Sequence, residues 1–155
     1  MTNFIGGYDY TVDAKGRVNV PAKFRKALSP EAEETFVVVR ASNSSLQAFP
    51  KDVWDERYAK ISALPKTPEH VKFLRVLSNT STISALDVQG RIMLTPSLME
   101  YAKIAKDVKI IGGPGYIELW DAVGYREYEA DTDDQLFDKM WHSVEEQLAE
   151  QLVKS

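Results

Sequence analysis

The sequence predicts an α+β, β-rich protein built from two tandem repeats, on three observations. The pentapeptide Asp-Ala-Lys-Gly-Arg at 13–17 returns as Asp-Val-Gln-Gly-Arg at 87–91, 74 positions later. Each copy lies between two short stretches of strand-like composition. A proline, a short helix-like run and two β-rich runs then follow each copy in the same order. A shared order over this length indicates a duplication within the chain.

Each pentapeptide is expected at the tip of a β-hairpin. Gly16 and Gly90 are flanked by strand signals, and glycine adopts the positive φ of tight hairpin turns at little cost. Pro21 lies 8 residues after the first aspartate and Pro96 lies 9 after the second, which predicts one inserted residue in the second copy. Both prolines are placed where a strand gives way to a helix, since proline is tolerated in the first helical turn.

Helices are predicted between the repeats and after them. Apolar residues recur at helical spacing on either side of residues 63–66, which predicts two helices between Pro50 and Asn79 with Thr67 as an N-cap. Their apolar faces should pack on the body. The sequence after Trp120 predicts two further helices, one on each side of residues 131–134. The last helix carries an apolar stripe, namely Phe137, Trp141, Val144 and Leu148. This stripe covers either its own domain or a neighbouring subunit.

Composition bounds the class of protein. The chain has 155 residues, 44% of them hydrophobic, which suffices for a core. It has no cysteine, which excludes disulfide and thiolate chemistry. No apolar run approaches the roughly 20 residues needed to span a bilayer, and the N-terminus lacks a signal pattern. We expect a soluble cytoplasmic protein.

Charge is distributed unevenly along the chain. The net charge is −4, but residues 121–155 hold 10 acidic and 3 basic residues, whereas residues 1–120 hold 16 basic and 13 acidic ones. Residues 1–28 alone hold 5 basic against 2 acidic residues. A local positive surface can bind phosphate despite an acidic total, because charges more than about 10 Å apart are largely screened.

These residues carry a family resemblance. The order Thr-Val-Asp-x-Lys-Gly-Arg-Val-x-Val-Pro-Ala at 11–22, with Leu-Asp-x-x-Gly-Arg-Ile at 86–92 and Glu-Leu-Trp at 118–120, resembles the MraZ family of bacterial transcriptional regulators. The similarity covers roughly residues 4–125. Val12 stands where the family more often has leucine, and Gln89 replaces the lysine of the first copy. The acidic tail after Trp120 matches no family motif.

The resemblance implies a fold and a domain division. It implies two tandem swapped-hairpin repeats of the AbrB and SpoVT type, forming a pseudo-symmetric β-barrel-like core with flanking helices. The expected division is a first repeat at 4–50, bridging helices at 51–79, a second repeat at 80–125 and an acidic helical tail at 126–155.

The turns are the candidate site. Asp and Arg on either side of each glycine could form a cross-turn ion pair that only pins the hairpin, worth under about 1 kcal/mol if exposed. Alternatively, the carboxylate orients a guanidinium toward a phosphate or a guanine edge. The resemblance implies that these positions face DNA and favours the second interpretation. The predicted DNA-binding residues are Asp13, Lys15, Gly16, Arg17, Lys23, Arg25, Lys26, Asp87, Gly90 and Arg91.

Catalysis finds little support in the sequence. His70 and His142 are the only histidines and lie in different segments without metal-ligand spacing. Residues 112–115 are rich in glycine but precede a strand, which indicates a hairpin turn and not a phosphate loop. We expect no enzyme activity, no cofactor, no metal and no small-molecule substrate.

The resulting expectation is a sequence-specific DNA-binding regulator in the cytoplasm, associated with the nucleoid. The resemblance implies ring-like homo-oligomers that bind repeated short promoter sites on double-stranded DNA at a division and cell-wall gene cluster, with no membrane partner. Multivalent contacts would make weak single-protomer binding strong. A protein-binding, antitoxin-like module of the same fold is the alternative.

Overall fold

The computed structural model describes residues 2–155 and divides the chain into one compact unit that ends at Ala122 and a second unit, Val123–Ser155. In the described residues the strands are β1 (Gly7–Thr11), β2 (Arg17–Asn19), β3 (Thr35–Ala41), β4 (Ser45–Pro50), β5 (Thr82–Ala85), β6 (Arg91–Met93), β7 (Asp107–Gly112) and β8 (Ile117–Asp121). The helices are α1 (Ala22–Lys26), α2 (Lys51–Ser62), α3 (Pro68–Thr80), α4 (Pro96–Tyr101), α5 (Ala122–Glu129) and α6 (Asp134–Lys154). The predicted α+β, β-rich class is confirmed.

Strands of the two repeats interleave. The main sheet is antiparallel with the order β1-β7-β8-β4-β3-β5, which reads the same when the repeats are exchanged. The first strand of each repeat, β1 or β5, pairs with a strand of the other repeat, β7 or β3. The short strands β2 and β6 pair with each other in a second, two-stranded sheet. Each repeat therefore completes the sheet of the other, and the predicted β-hairpins of β1 with β2 and of β5 with β6 are wrong, because neither pair of strands shares a ladder.

The prediction of a barrel-like core is wrong, because the six-stranded sheet is open. Strands β1 and β5 each have one partner strand in the described part of the chain, so they form the two edges. A closed barrel would need the strands that follow them to continue the ladder. Those strands, β2 and β6, have 3 residues each and leave the sheet to pair with one another.

The internal spacing of the two copies is constant around the turns. Val18 and Ile92, which are both buried and 74 positions apart, face each other in the β2–β6 ladder. Pro21 is the N-cap of α1, whereas the N-cap of α4 is Thr95 and Pro96 is its first residue. The predicted insertion is therefore wrong. Proline fits both positions because neither needs its missing N–H.

The two predicted helices between the repeats are confirmed as α2 and α3. The Thr67 side chain caps α3 by accepting a hydrogen bond from the His70 backbone N–H at 3.1 Å. Helix α2 packs its apolar face on the sheet, with the ring of Trp54 5.2 Å from that of Phe49. The segment between the repeats, α2 and α3, is thus packed on the compact unit and is not a flexible linker.

The second unit contains the two helices predicted for the tail. Helix α6 begins at an N-cap, Asp133, whose carboxylate accepts the Leu136 backbone N–H at 2.8 Å. Its apolar stripe, defined above by four residues, is between 49% and 58% exposed in the single chain. Of the described helices, none is both long and apolar enough to cross a membrane.

Candidate nucleic-acid interface

The first turn is closed by one carboxylate. Oδ1 of Asp13 accepts the backbone N–H groups of Lys15 and Arg17, each at 2.9 Å, and Oδ2 accepts Nε–H of Arg17 at 2.7 Å. Gly16 holds a φ of +83° and donates its N–H to the Asp13 carbonyl at 3.0 Å. Three bonds to the carboxylate and one to the carbonyl of the same aspartate therefore fix both the backbone of the turn and the direction of the arginine.

The second turn repeats this geometry. Oδ1 of Asp87 accepts the backbone N–H groups of Gln89 and Arg91, each at 2.9 Å, and Oδ2 accepts Nε–H of Arg91 at 2.8 Å. Gly90 has a φ of +77°. The same residue types at the same spacing build the same local structure, since the aspartate and glycine supply what each turn needs.

Hydrogen bonds join the two turns into one surface. The Leu94 N–H donates to the Gly16 carbonyl at 2.7 Å, and the Val20 N–H donates to the Gly90 carbonyl at 3.0 Å. Nη1 of Arg91 also lies 3.7 Å from Oδ2 of Asp13, so one aspartate contacts the arginines of both repeats. The two turns are therefore placed side by side by the fold.

The β2–β6 ribbon gives this surface an outer face. Val18 and Ile92 point inward and are buried, so the alternating residues of both strands point outward. The outward residues are Arg17, Asn19, Arg91 and Met93. Sequence analysis missed Asn19, whose side-chain amide donates to the Gln89 carbonyl at 3.4 Å, and Met93. Alternation around Val18 could have found Asn19, and Met93 is the residue 74 positions later.

Arg25 crosses from the first repeat to the second turn. Its Nε–H donates to the Val20 carbonyl at 3.0 Å. Its guanidinium lies so close to Gly90 that a Cβ built there would fall 2.6 Å from it. The corresponding residue of the second repeat, Met99, lies next to Gly16 instead, with its Sδ 3.6 Å from a Cβ built there. Each repeat thus packs a helix residue on the turn of the other.

The remaining predicted cations are exposed. Lys15 lies at the tip of the first turn, and Lys23 and Lys26 lie on α1. Their ammonium groups make no hydrogen bond or ion pair with any described residue. The structure therefore brings Lys15, Arg17, Arg25 and Arg91 together around the turns with both aspartates, and leaves Lys23 and Lys26 on the adjoining helix.

Both aspartates are held ionised by the turns. The backbone N–H of Arg17 is the main cause that holds the pKa of Asp13 below its ordinary value of 3.8, with the Arg17 side chain adding to it. The backbone N–H of Arg91 does the same for the pKa of Asp87. Partial desolvation of each carboxyl opposes these effects but does not reverse them. At neutral pH each carboxylate is a fixed anion that orients an arginine.

This arrangement both stabilises the turns and orients the arginine side chains for binding. The Nε–H of Arg17 is used by Asp13, while its two terminal amino groups have no hydrogen-bond partner in the described residues and its side chain is 31% exposed. These amino groups can meet a phosphate or a guanine edge as a fork. The carboxylate removes rotamer freedom that a free arginine would lose on binding.

The fold and site together define a class of protein: a tandem-repeat α+β protein in which two Asp-x-x-x-Arg turns form one joint surface. The family described as "MraZ protein, putative antitoxin-like" matches residues 4–75 and 77–140. The chain belongs to the MraZ family.

Relatives from several bacteria resemble most of the chain. A protein of Desulfitobacterium hafniense (strain Y51) is 37% identical over 132 residues, which is 84% of this chain and 90% of the relative. A protein of Herpetosiphon aurantiacus is 41% identical over 77% of this chain and 81% of its own length. A protein of Moorella thermoacetica is 35% identical over 85% of this chain and 90% of its own length. All three bear the name "Transcriptional regulator MraZ".

Proposed function

We propose that this protein is a DNA-binding transcriptional regulator that contacts duplex DNA through the two joined turns. The name shared by its relatives supports a regulatory role and not a catalytic one. The observation that carries the proposal is the pair of arginines, Arg17 and Arg91, each oriented by an aspartate and both on the outer face of one two-stranded ribbon. A two-stranded ribbon is narrow enough to enter the major groove.

The proposed interface has two kinds of residue. Arg17 and Arg91 are in position to read base edges or to grip phosphates, while Asp13 and Asp87 hold them in place and Gly16 and Gly90 allow the turns. Phosphate contacts come from the surrounding cations, Lys15, Lys23, Arg25 and Lys26. These contacts carry little sequence information but supply much of the affinity.

The DNA sites that we propose as targets are those that the family resemblance implies. We propose repeated short operator sites at a division and cell-wall gene cluster, bound at the nucleoid in the cytoplasm. We further propose that the two halves are swapped hairpins, at 4–50 and 80–125, with the bridge at 51–79 and the tail at 126–155. The pairing of β1 with β7 and of β5 with β3 supports an exchange of strands between the halves.

We also propose a ring-like homo-oligomer in which the α6 stripe covers an adjacent subunit. Isolated exposed apolar side chains are common, but four at helical spacing on one face form a surface suited to a partner. Since each side chain is already about half buried, covering the remainder would contribute roughly 0.7–1.5 kcal/mol for each. Several protomers on one duplex would multiply weak single contacts.

Charged substitutions in this stripe should dissociate the oligomer. In the variant with Trp141→Glu and Leu148→Glu, sedimentation velocity is expected to show a smaller species than the wild type, because two carboxylates replace apolar side chains that a neighbour buries. Glu146→Gln, on another face of α6, should leave the sedimentation coefficient unchanged. An unchanged assembly in the double variant would refute the role given to the stripe.

A protein-binding, antitoxin-like role is the second candidate, and the description of the matching family names it. The neighbouring genes distinguish the two. A toxin gene next to this one would favour the antitoxin-like role, whereas a cell-wall cluster would favour the regulator.

Salt dependence tests the proposed DNA contact. Binding of the upstream region of the gene should weaken steeply with potassium chloride, because each neutralised phosphate adds about −0.9 to the slope of log affinity against log salt. Lys15→Gln should make the slope shallower by about 0.9, whereas Lys60→Gln on α2 should not change it. A flat response of the wild type would exclude the proposed function.

A further inference from the structure

The two repeats present different chemistry around turns of identical shape. Positions 74 apart correspond from β1 through α1, as the paired turns and buried residues require. The first repeat places four cations there, and the corresponding second-repeat positions hold a neutral amide, a hydroxyl, a thioether and a carboxylate. The first set is Lys15, Lys23, Arg25 and Lys26, and the second is Gln89, Ser97, Met99 and Glu100.

The second repeat has apolar side chains where the first has small or polar ones. Val88, at the tip of the second turn, is fully exposed and corresponds to Ala14. Met93, on the outer face of the ribbon, is 50% exposed and corresponds to Asn19. A single exposed apolar residue needs no explanation, but these two lie on either side of Arg91 in the sequence, within one short turn and strand.

The tip that carries Val88 is held rigidly on both sides. Its neighbour Asp87 accepts the Gln89 backbone N–H at 2.9 Å, and the Gln89 carbonyl accepts the Asn19 amide at 3.4 Å. A valine has a single χ angle, and here its backbone is already ordered. Little conformational entropy is therefore lost when its methyl groups contact a ligand.

In the major groove, the apolar group available to such a side chain is the C5-methyl of thymine. Most other base-edge groups there are hydrogen-bond donors or acceptors, to which a valine cannot bond, and the C5–H of cytosine offers a smaller apolar surface than a methyl group. We propose that the second turn reads thymine methyl groups through Val88, while the cations of the first repeat hold phosphates. This inference rests on the proposed function and assigns the two repeats different tasks.

Removal of the methyl groups from the DNA tests this directly. The upstream region of the gene is amplified once with thymidine triphosphate and once with deoxyuridine triphosphate, and each product is titrated with the full-length protein. The wild type should bind the uracil DNA about fourfold or more weakly, the change expected for one methyl group left unburied. Val88→Ala should bind thymine DNA more weakly and lose most of the difference between the two DNAs.

The cycle of two proteins and two DNAs distinguishes the contact from independent effects of uracil on DNA shape, since changes that act independently are additive and a direct contact makes them non-additive. Ala14→Ser, at the corresponding tip of the first repeat, should keep the wild-type preference for thymine. Equal affinity of the wild type for both DNAs, or an undiminished preference in Val88→Ala, would overturn the inference and leave the proposed function standing. Absence of binding to either DNA would overturn both.

Discussion

Arg17→Ala is expected to weaken binding to the upstream DNA by about tenfold to a hundredfold, the range for loss of one bidentate arginine contact. The substitution removes a guanidinium that Asp13 holds in place at 2.7 Å and whose terminal amino groups face solvent. It also leaves Asp13 close to the DNA with less of its charge balanced. The expected readout is the dissociation constant from fluorescence anisotropy, at one fixed salt concentration.

Two further variants test whether the loss of affinity comes from the guanidinium of Arg17. Arg17→Lys keeps the charge but lacks the fork, so it should recover only part of the affinity. Arg91→Ala should lose less than Arg17→Ala, because the second turn carries Gln89 where the first carries Lys15. Equal losses in the two alanine variants, or loss of the fold in either, would instead favour ion pairs that only stabilise the turns.

Gly16→Ala is expected to destabilise the fold by about 2–3 kcal/mol. An alanine at φ +83° is strained by roughly 1–2 kcal/mol, and its Cβ would lie 2.3 Å from the Leu94 carbonyl oxygen. Relief of that clash would separate the strands where the Leu94 N–H donates to the Gly16 carbonyl, at a further cost of about 1 kcal/mol. The shift in the urea unfolding midpoint measures the effect.

Gly90→Ala is the matched control for this prediction. It carries the same strain at φ +77°, but its Cβ would meet the guanidinium of Arg25, the far end of a flexible side chain that can move. It should therefore cost only about 1–2 kcal/mol. A loss in Gly90→Ala as large as that in Gly16→Ala would contradict the role given to the Leu94 carbonyl.

Sequence alone predicted the parts of this protein that depend on local chemistry. The turns follow from an aspartate and a glycine at fixed spacing, because the carboxylate bonds the backbone two and four residues ahead. The start of α3 follows from Thr67, whose side chain accepts the His70 backbone N–H. In each case the partners lie within a few residues of one another.

The remainder depends on partners that are distant in the chain. Strand composition indicates that β1 and β2 are extended, but it does not say that they pair with β7 and β6 instead of with each other. The open sheet results from those pairings, so the expected barrel was wrong. The contact of Arg25 with the second turn is likewise invisible in a charge count, which only places this residue among the basic residues of 1–28.

Capture of genomic DNA by the full-length protein tests most directly the claim that the joined turns bind specific DNA. Sheared DNA from the source organism is equilibrated with wild type or Arg17→Ala at physiological salt, and the retained fragments are sequenced. The wild type should enrich a small set of fragments that share a repeated short motif, including one upstream of its own gene. Arg17→Ala should enrich the same fragments much more weakly. Retention of fragments without a shared sequence, or the same enrichment with Arg17→Ala, would contradict the claim.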